Sequence, residues 1–221
     1  MPDRQSPLRS IPGHRHAGGM TNDGAAWDER YSQEDQLFSG RPNGALAAEV
    51  AGMAPGRALD VGCGEGGDTA WLVEHGWRVT ALDVSRVALD RAKRSVGAAA
   101  ATIEWVHAGL LEAGLAPSAF DLVSAQYPAL LRTPTNDAER TLMDAVAPGG
   151  TLLVVHHADI DVEAARTHGF EPADYVMPAD VAALLDDGWD VEVDERRLRD
   201  VPAGAGSGHT HDEVLRARRV R

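Results

Sequence analysis

Lysine and cysteine are almost missing from this chain. Of its 21 basic residues only Lys93 is a lysine. The other 20 are arginines, which with abundant alanine and glycine points to a GC-rich coding sequence and not to a function. Cys63 is the single cysteine, which excludes an internal disulfide and any chemistry that needs several thiols to converge on a substrate. Positive charge is also scarce: 21 basic against 34 acidic residues leave a formal net charge of −13. Such a surface repels nucleic acid, whose binders carry a basic face, so no nucleic-acid partner is expected. No apolar run reaches the roughly 18 residues of a membrane span, and the opening residues lack the apolar centre of a signal peptide. The expectation is a cytoplasmic protein with no membrane partner.

With 221 residues, 43% of them apolar and 25% charged, the chain suits one α/β domain with a core of useful size. Residues 1–22 are rich in Pro, Gly, Ser, Arg and His and show no apolar period, so they read as a disordered tail before a single domain over 23–221. His14 and His16 belong to that tail, with no third ligand nearby to make a metal site, and no metal is expected.

The most informative stretch is Ala58-Leu59-Asp60-Val61-Gly62-Cys63-Gly64-Glu65-Gly66-Gly67. An apolar strand ends in a carboxylate two residues before a glycine-rich turn, and glycine lets the backbone turn sharply and approach a ligand closely. Gly62, Gly64 and Gly67 satisfy G-x-G-x-x-G, and Asp83 follows at the distance at which a dinucleotide fold places its ribose-binding acid. NAD therefore fits the spacing. Asp60 weighs against it, because a carboxylate at the mouth of the first strand repels a pyrophosphate and favours a cationic cofactor.

Leu59-Asp60-Val61-Gly62-Cys63-Gly64-Glu65-Gly66 resembles motif I of class I S-adenosylmethionine-dependent methyltransferases. Three further segments resemble landmarks of that family in the right order: 78–85 the second strand with its acid, 120–124 the fourth strand, and 147–153, with Pro148-Gly149-Gly150, the turn into the fifth. The resemblance spans about residues 25–221. Trp27-Asp28-Glu29-Arg30-Tyr31 and the loop 40–43 are similar to the leading segment of the small-molecule branch of the tellurite-resistance and thiopurine type. It implies a Rossmann-like, doubly wound sheet of seven strands, mostly parallel with an antiparallel C-terminal hairpin. S-adenosyl-L-methionine is the implied cofactor, and a small-molecule acceptor the implied partner.

The order of elements is legible without it. A helix over 45–50 leads into the first strand; a helix over 68–75 stops at Gly76; a strand ends at Asp83; and Ser85 caps a helix bearing Val87, Ala88, Ala92 and Val96 on one side. Strands follow at 103–107, 120–125 and 151–155, with a helix over 136–146 between the last two. Regular alternation argues for a parallel sheet covered on both faces. Pro178 suits the first turn of a helix over 179–185, and 191–193 and 214–217 alternate as two strands joined by the loop 203–208.

Ligands of such sheets bind beyond the carboxyl ends of the strands. Asp60 and the backbone of Gly62, Cys63, Gly64 and Glu65 are expected to face the cationic methionine portion, and Asp83 the ribose hydroxyls. The third strand lacks the acid with which many relatives hold the adenine amino group. Gly109 and Leu110 backbone groups are expected instead, with Leu110, Leu111 and Val84 around the ring. A helix bearing Trp27, Tyr31 and Phe38 is expected to close over the cofactor, Arg30 and Tyr31 reaching it. Gln126 and Tyr127, after the fourth strand, are expected beside the reactive methyl.

Transfer by in-line displacement needs mainly proximity and orientation; for an acceptor that must lose a proton, His156 or His157 is the candidate base, His157 preferred. Tyr127 and His157 are thus the catalytic candidates. His209 and His211 lie by the last hairpin loop without an assigned role. An NAD-dependent oxidoreductase and a cofactor-binding module without catalysis are the competing readings.

Overall fold

The computed structural model describes residues 24–167, 171–199 and 209–221; the expected tail 1–22 and the loop 203–208 lie outside these. The first half runs α1 (Gly24–Ser32), α2 (Gly44–Val50), β1 (Arg57–Val61), α3 (Gly67–Glu74), β2 (Arg78–Asp83), α4 (Arg86–Val96) and β3 (Glu104–His107). The second runs β4 (Phe120–Gln126), α5 (Asp137–Ala145), β5 (Val146–His157), α6 (Val162–Thr167), α7 (Pro178–Ala182), β6 (Trp189–Leu198) and β7 (His211–Arg219).

The seven strands form one sheet in the order β3-β2-β1-β4-β5-β7-β6. All neighbours are parallel except β5 with β7 and β7 with β6. Strand order reverses between β1 and β4, which opens a crevice at their carboxyl ends.

Apolar side chains alternate to the two faces of the sheet and make two cores. Leu59, Val61, Leu82, Val123, Leu152 and Val154 pack with Leu142 of α5 and Val181 of α7. Ala58, Val79, Ala81, Leu122, Leu153 and Val155 pack with Leu46 of α2, Leu72 of α3 and Leu89 of α4. Burying each such leucine contributes roughly 1.5–3 kcal/mol, and the double cover explains why β1 and β2 read as apolar runs. Ser85 caps α4 as expected, its Oγ accepting from the Ala88 amide at 3.1 Å.

Four elements differ most from their expected extents. β5 begins at Val146 and takes in the Pro148-Gly149-Gly150 turn, because Val146 pairs with Phe120, and Thr151 with Leu122, across a register shift. α7 stops at Ala182. β6 and β7 run 10 and 9 residues, well past the apolar cores by which they were placed. The extra length is built from charges: Arg197 and Arg216 both bind buried Glu49, at 2.6 and 2.8 Å, and Arg216 also meets Glu192 at 3.0 Å. A charged outer strand also protects an open sheet edge from pairing with other chains.

At Gly150 an added Cβ would lie 2.9 Å from both Ala147 O and Phe120 O and 3.1 Å from Asp121 O. Backbone cannot yield as a side-chain tip does. Gly150→Ala is therefore expected to destabilise the fold by about 2 kcal/mol, read as a lower urea midpoint at unchanged slope.

Candidate active site

The turn after β1 is made by glycines at positive φ: Gly62 at 71°, Gly64 at 53° and Gly66 at 84°. The Gly62 and Cys63 amides donate to Leu82 O at 2.8 and 3.0 Å, which folds the turn over β2. Asp83, at the end of β2, then accepts from the Gly64 amide with Oδ2 and from the Ser85 amide with Oδ1, both at 2.8 Å. The two expected ligand residues, Gly64 and Asp83, are thus built as one unit.

Asp60, Asp68, Asp83 and Glu65 are all buried here. Thr69 Oγ1 donates to Asp60 Oδ2 at 2.5 Å, and the Asn43 amide and side chain hold the two oxygens of Asp68 at 2.7 Å each. Burial first, and the neighbouring Asp68 next, hold the Asp60 carboxyl well above the usual carboxylate range. Burial likewise raises Asp83, against the pull of the Ser85 and Gly64 amides. The Cys63 thiol is pushed well up by burial and then by Asp60, so it is no nucleophile. The Glu65 side chain turns away from the crevice: it accepts from the Leu37 and Phe38 amides and pairs with Arg91 at 2.9 Å, leaving only its backbone for the expected ligand contact.

α1 lies across this site. The space beside Gly24 is filled by Val84 O, and Asp28 Oδ1 accepts from Ser85 Oγ at 2.6 Å and from the Val87 amide at 3.0 Å. Buried Tyr31 brings its hydroxyl to the Cβ face of Gly64. Arg30 stacks on Trp27, 5.3 Å from the ring centroid. Arg91 of α4 locks the end of the helix by donating to Tyr31 O and Glu34 O at 2.6 and 2.5 Å. Phe38 falls outside the expected helix and is exposed, meeting Tyr31 edge-on at 6.0 Å.

On the other side of Asp83, Val84 O sits 2.9 Å from His107 Nε2, and Arg86 lies 3.2 Å from His107 Nδ1, which makes His107 a structural strut. Leu110 is buried and Leu111 half exposed. Sequence reasoning found no carboxylate near Gly109, but the tight turn from Gly109 O to the Glu112 amide, 3.2 Å, brings the Glu112 carboxylate back over Gly109, with Val84 Cγ1 beside it. The three-residue spacing was the available signal.

The rim formed by β4, β5 and β7 holds the two catalytic candidates together. Gln126 is buried, its Nε2 donating to Ser124 Oγ at 3.0 Å while Oε1 has no partner. Tyr127 is held at φ 51°, a left-handed conformation that costs a non-glycine residue about 1–3 kcal/mol. Its ring stacks on His157 at 4.3 Å, and its hydroxyl donates to Asp212 Oδ2 at 2.8 Å and accepts from Arg199 Nε at 3.2 Å. His209 stacks on the other face of His157, also at 4.3 Å. His156 is excluded as a base: its Nδ1 accepts the His157 amide at 3.0 Å, and burial pushes its pKa down to about 4. Among the described residues no three His, Cys, Asp or Glu side chains are placed to hold a metal ion.

Residues 58–150 match the family profile described as a methyltransferase domain. That stretch contains the glycine turn, Asp60, Asp83 and the β1–β4 crevice, so the part of the chain that resembles methyltransferase domains is the part that builds the candidate site. Among curated relatives, the malonyl-[acyl-carrier protein] O-methyltransferase of Enterobacter lignolyticus is 34% identical over 122 residues, 55% of this chain and 47% of that protein. The chain spans about half the length of the curated relatives it matches.

Among solved structures, one described under conversion of a disulfide bond into a thioacetal group in echinomycin biosynthesis has a TM-score of 0.70 at 24% identity, covering 89% of this chain and 92% of that one. The N-methyltransferase NodS of Bradyrhizobium japonicum, solved with S-adenosyl-L-homocysteine, has a TM-score of 0.61 at 22% identity, covering 87% of each chain. These likenesses show the fold. Among the described residues no helix is long and apolar enough to cross a membrane.

A cation seated against Asp60 and Asp83 favours their ionised forms, whereas burial favours the protonated ones and pushes the Asp60 carboxyl up to about 8. A cationic ligand seated there is therefore expected to release protons on binding, with an affinity that rises as the pH rises toward the Asp60 value of about 8. Calorimetry in two buffers of different ionisation heat counts the protons; an affinity flat with pH would show that both acids are already ionised.

Proposed function

We propose that the protein transfers the methyl group of S-adenosylmethionine to a small-molecule acceptor. The observation that carries this reading is the group of four buried carboxylates around the glycine turn, in which Arg91 neutralises Glu65 from the outer side. Such a cradle suits a ligand that brings a sulfonium and an ammonium, and it repels the pyrophosphate of NAD. The unpartnered Gln126 Oε1 at the same rim is a further acceptor for the ligand's amino group.

In this reading Asp60 and the Gly62–Cys63–Gly64 backbone hold the methionine portion, and Asp83 takes the ribose hydroxyls. Val84, Leu110, Gly109 and the newly found Glu112 receive adenine. Arg30 and Tyr31 close the site from α1, while Glu65 acts through the leading segment that it anchors. Bound there, the cofactor supplies an electrophilic methyl group. The protein's part is to exclude water under α1 and to orient an acceptor between the glycine turn and the Tyr127–His157 rim, which is enough for a large share of the rate. The docked helix at 24–32 also supports the small-molecule branch of the tellurite-resistance and thiopurine type, and the −13 charge disfavours nucleic acid as acceptor.

Isothermal titration with S-adenosylhomocysteine tests the reading. Asp83→Asn is expected to weaken binding about 10- to 100-fold, the cost of charged hydrogen bonds of roughly 1.5–3 kcal/mol, and Glu112→Gln to weaken it less. Tighter binding of NAD than of S-adenosylhomocysteine would replace methyl transfer with redox chemistry.

A further inference from the structure

Asp212 was not a sequence candidate, yet its carboxylate organises the acceptor rim. It is buried at the start of β7, with Oδ2 taken by the Tyr127 hydroxyl at 2.8 Å. Oδ1 lies 3.7 Å from His157 Nδ1 and 3.6 Å from Arg199 Nε. His157 Nδ1 and Asp212 Oδ1 are both sealed from solvent, and neither has a hydrogen-bond partner at its present distance. Two buried polar atoms that face each other across a gap slightly longer than a hydrogen bond are a pair ready to close, as acid–base pairs do when a ligand settles.

The remaining neighbours fix the ring. Tyr127 and His209 stack on its two faces at 27° and 10°, and the His157 amide is tied to His156 Nδ1. The stacking fixes the plane of the ring, and within that plane Nδ1 is buried facing Asp212 while the side chain as a whole stays 21% exposed.

The rim lies where an acceptor would stand. Val61 is level with Ala125 and Val154, Gln126 with Val155, and His157 with Asp212. His157 thus ends the second strand over from β1, two strand spacings, ~10 Å, across the sheet and three residues beyond the level of Val61. An acceptor and a reactive methyl fit between them.

We infer that Asp212 is a positioning residue that holds His157 with its proton on Nδ1 and its lone pair on Nε2, and that the acceptor is a weakly acidic O–H or N–H group, such as a phenol, an enol or an azole. This rests on the methyltransferase reading above. As the acceptor oxygen or nitrogen forms its bond to the methyl carbon, the methyl–sulfur bond breaks with its electron pair going to sulfur. The acceptor's proton passes to His157 Nε2, and the resulting imidazolium is stabilised by the Asp212 carboxylate until the proton is lost to water. A thiol would need no such base, since its thiolate is already accessible near neutral pH. The titratable and charged groups that face His157 are Tyr127 just after β4, His156 from β5, Asp212 from β7, Arg199 beyond β6 and His209 before β7.

Nitrogen-15 NMR of the histidines in the full-length protein loaded with S-adenosylhomocysteine reads the tautomer directly. Neutral His157 is expected as Nδ1–H, shifting toward Nε2–H in Asp212→Asn while affinity for S-adenosylhomocysteine stays within twofold. An Nε2–H tautomer in the wild type, or no change in the variant, overturns the positioning role.

In a second arm, methyl-labelled S-adenosylmethionine is offered with a panel of phenols, enols and azoles beside a panel of alkyl thiols. Product from the first panel is expected, with a rate that rises with pH to a plateau and falls at least 100-fold in His157→Gln and in Asp212→Asn. Product from thiols alone, or none from the O–H and N–H compounds, overturns the acceptor class. Failure of the wild type to bind S-adenosylhomocysteine would instead remove the reading on which the inference stands.

Discussion

Asp83 joins the glycine turn after β1 to the head of α4 through one buried side chain. One oxygen receives the Gly64 amide from the turn after β1, and the other receives the Ser85 amide at the head of α4. Because the carboxylate is rigid and buried, the crevice width follows from its bite. Ser85 is thereby placed to cap α4 and to donate to Asp28, which draws α1 in; Arg91, two turns along α4, then reaches Tyr31, Glu34 and Glu65. Turn, helix and cap form one closed circuit of polar contacts that begins at a single side chain.

Charge makes this arrangement purposeful. Burying four carboxylates in one crevice costs solvation that their hydrogen bonds only partly offset, and the raised pKa values of Asp60 and Asp83 express the remainder. Residues under strain or without partners sit at the same rim: Tyr127 in the left-handed region, and Gln126 Oε1, His157 Nδ1 and Asp212 Oδ1 unpaired. The two cores beneath are apolar, and the other buried polar atoms without a hydrogen-bond partner among the described residues are Glu139 Oε2 in α5 and, beside Glu49, Arg197 Nη2 and Arg216 Nε.

The sheet was readable because its strands announce themselves locally. β1, β2 and β4 are apolar runs bounded by glycine or acid, and Ser85 marks a helix start within four residues of its bond. β6 and β7 were seen only in part, since their ends are held by ion pairs that look like solvent-exposed charge in one dimension. Asp60, Gly62, Gly64 and Asp83 were likewise legible, as spacing along the chain fixes them. Arg91 and Asp212 were not: their partners lie 60 and 85 residues away, at Tyr31 and Tyr127, and no local period encodes such meetings. Glu112 was within reach, but attention to the strand end hid a residue returned by the next turn.

The cap over the crevice has a kinetic consequence. α1 is held by Asp28 on Ser85 and Val87 and by Arg91 on the carbonyls of Tyr31, near its end, and Glu34, just beyond it. The cover is thus fastened at two points to α4 and its cap, so lifting it means breaking contacts at Ser85, Val87 and Arg91 together, and its rate of opening is set jointly by Asp28 and Arg91.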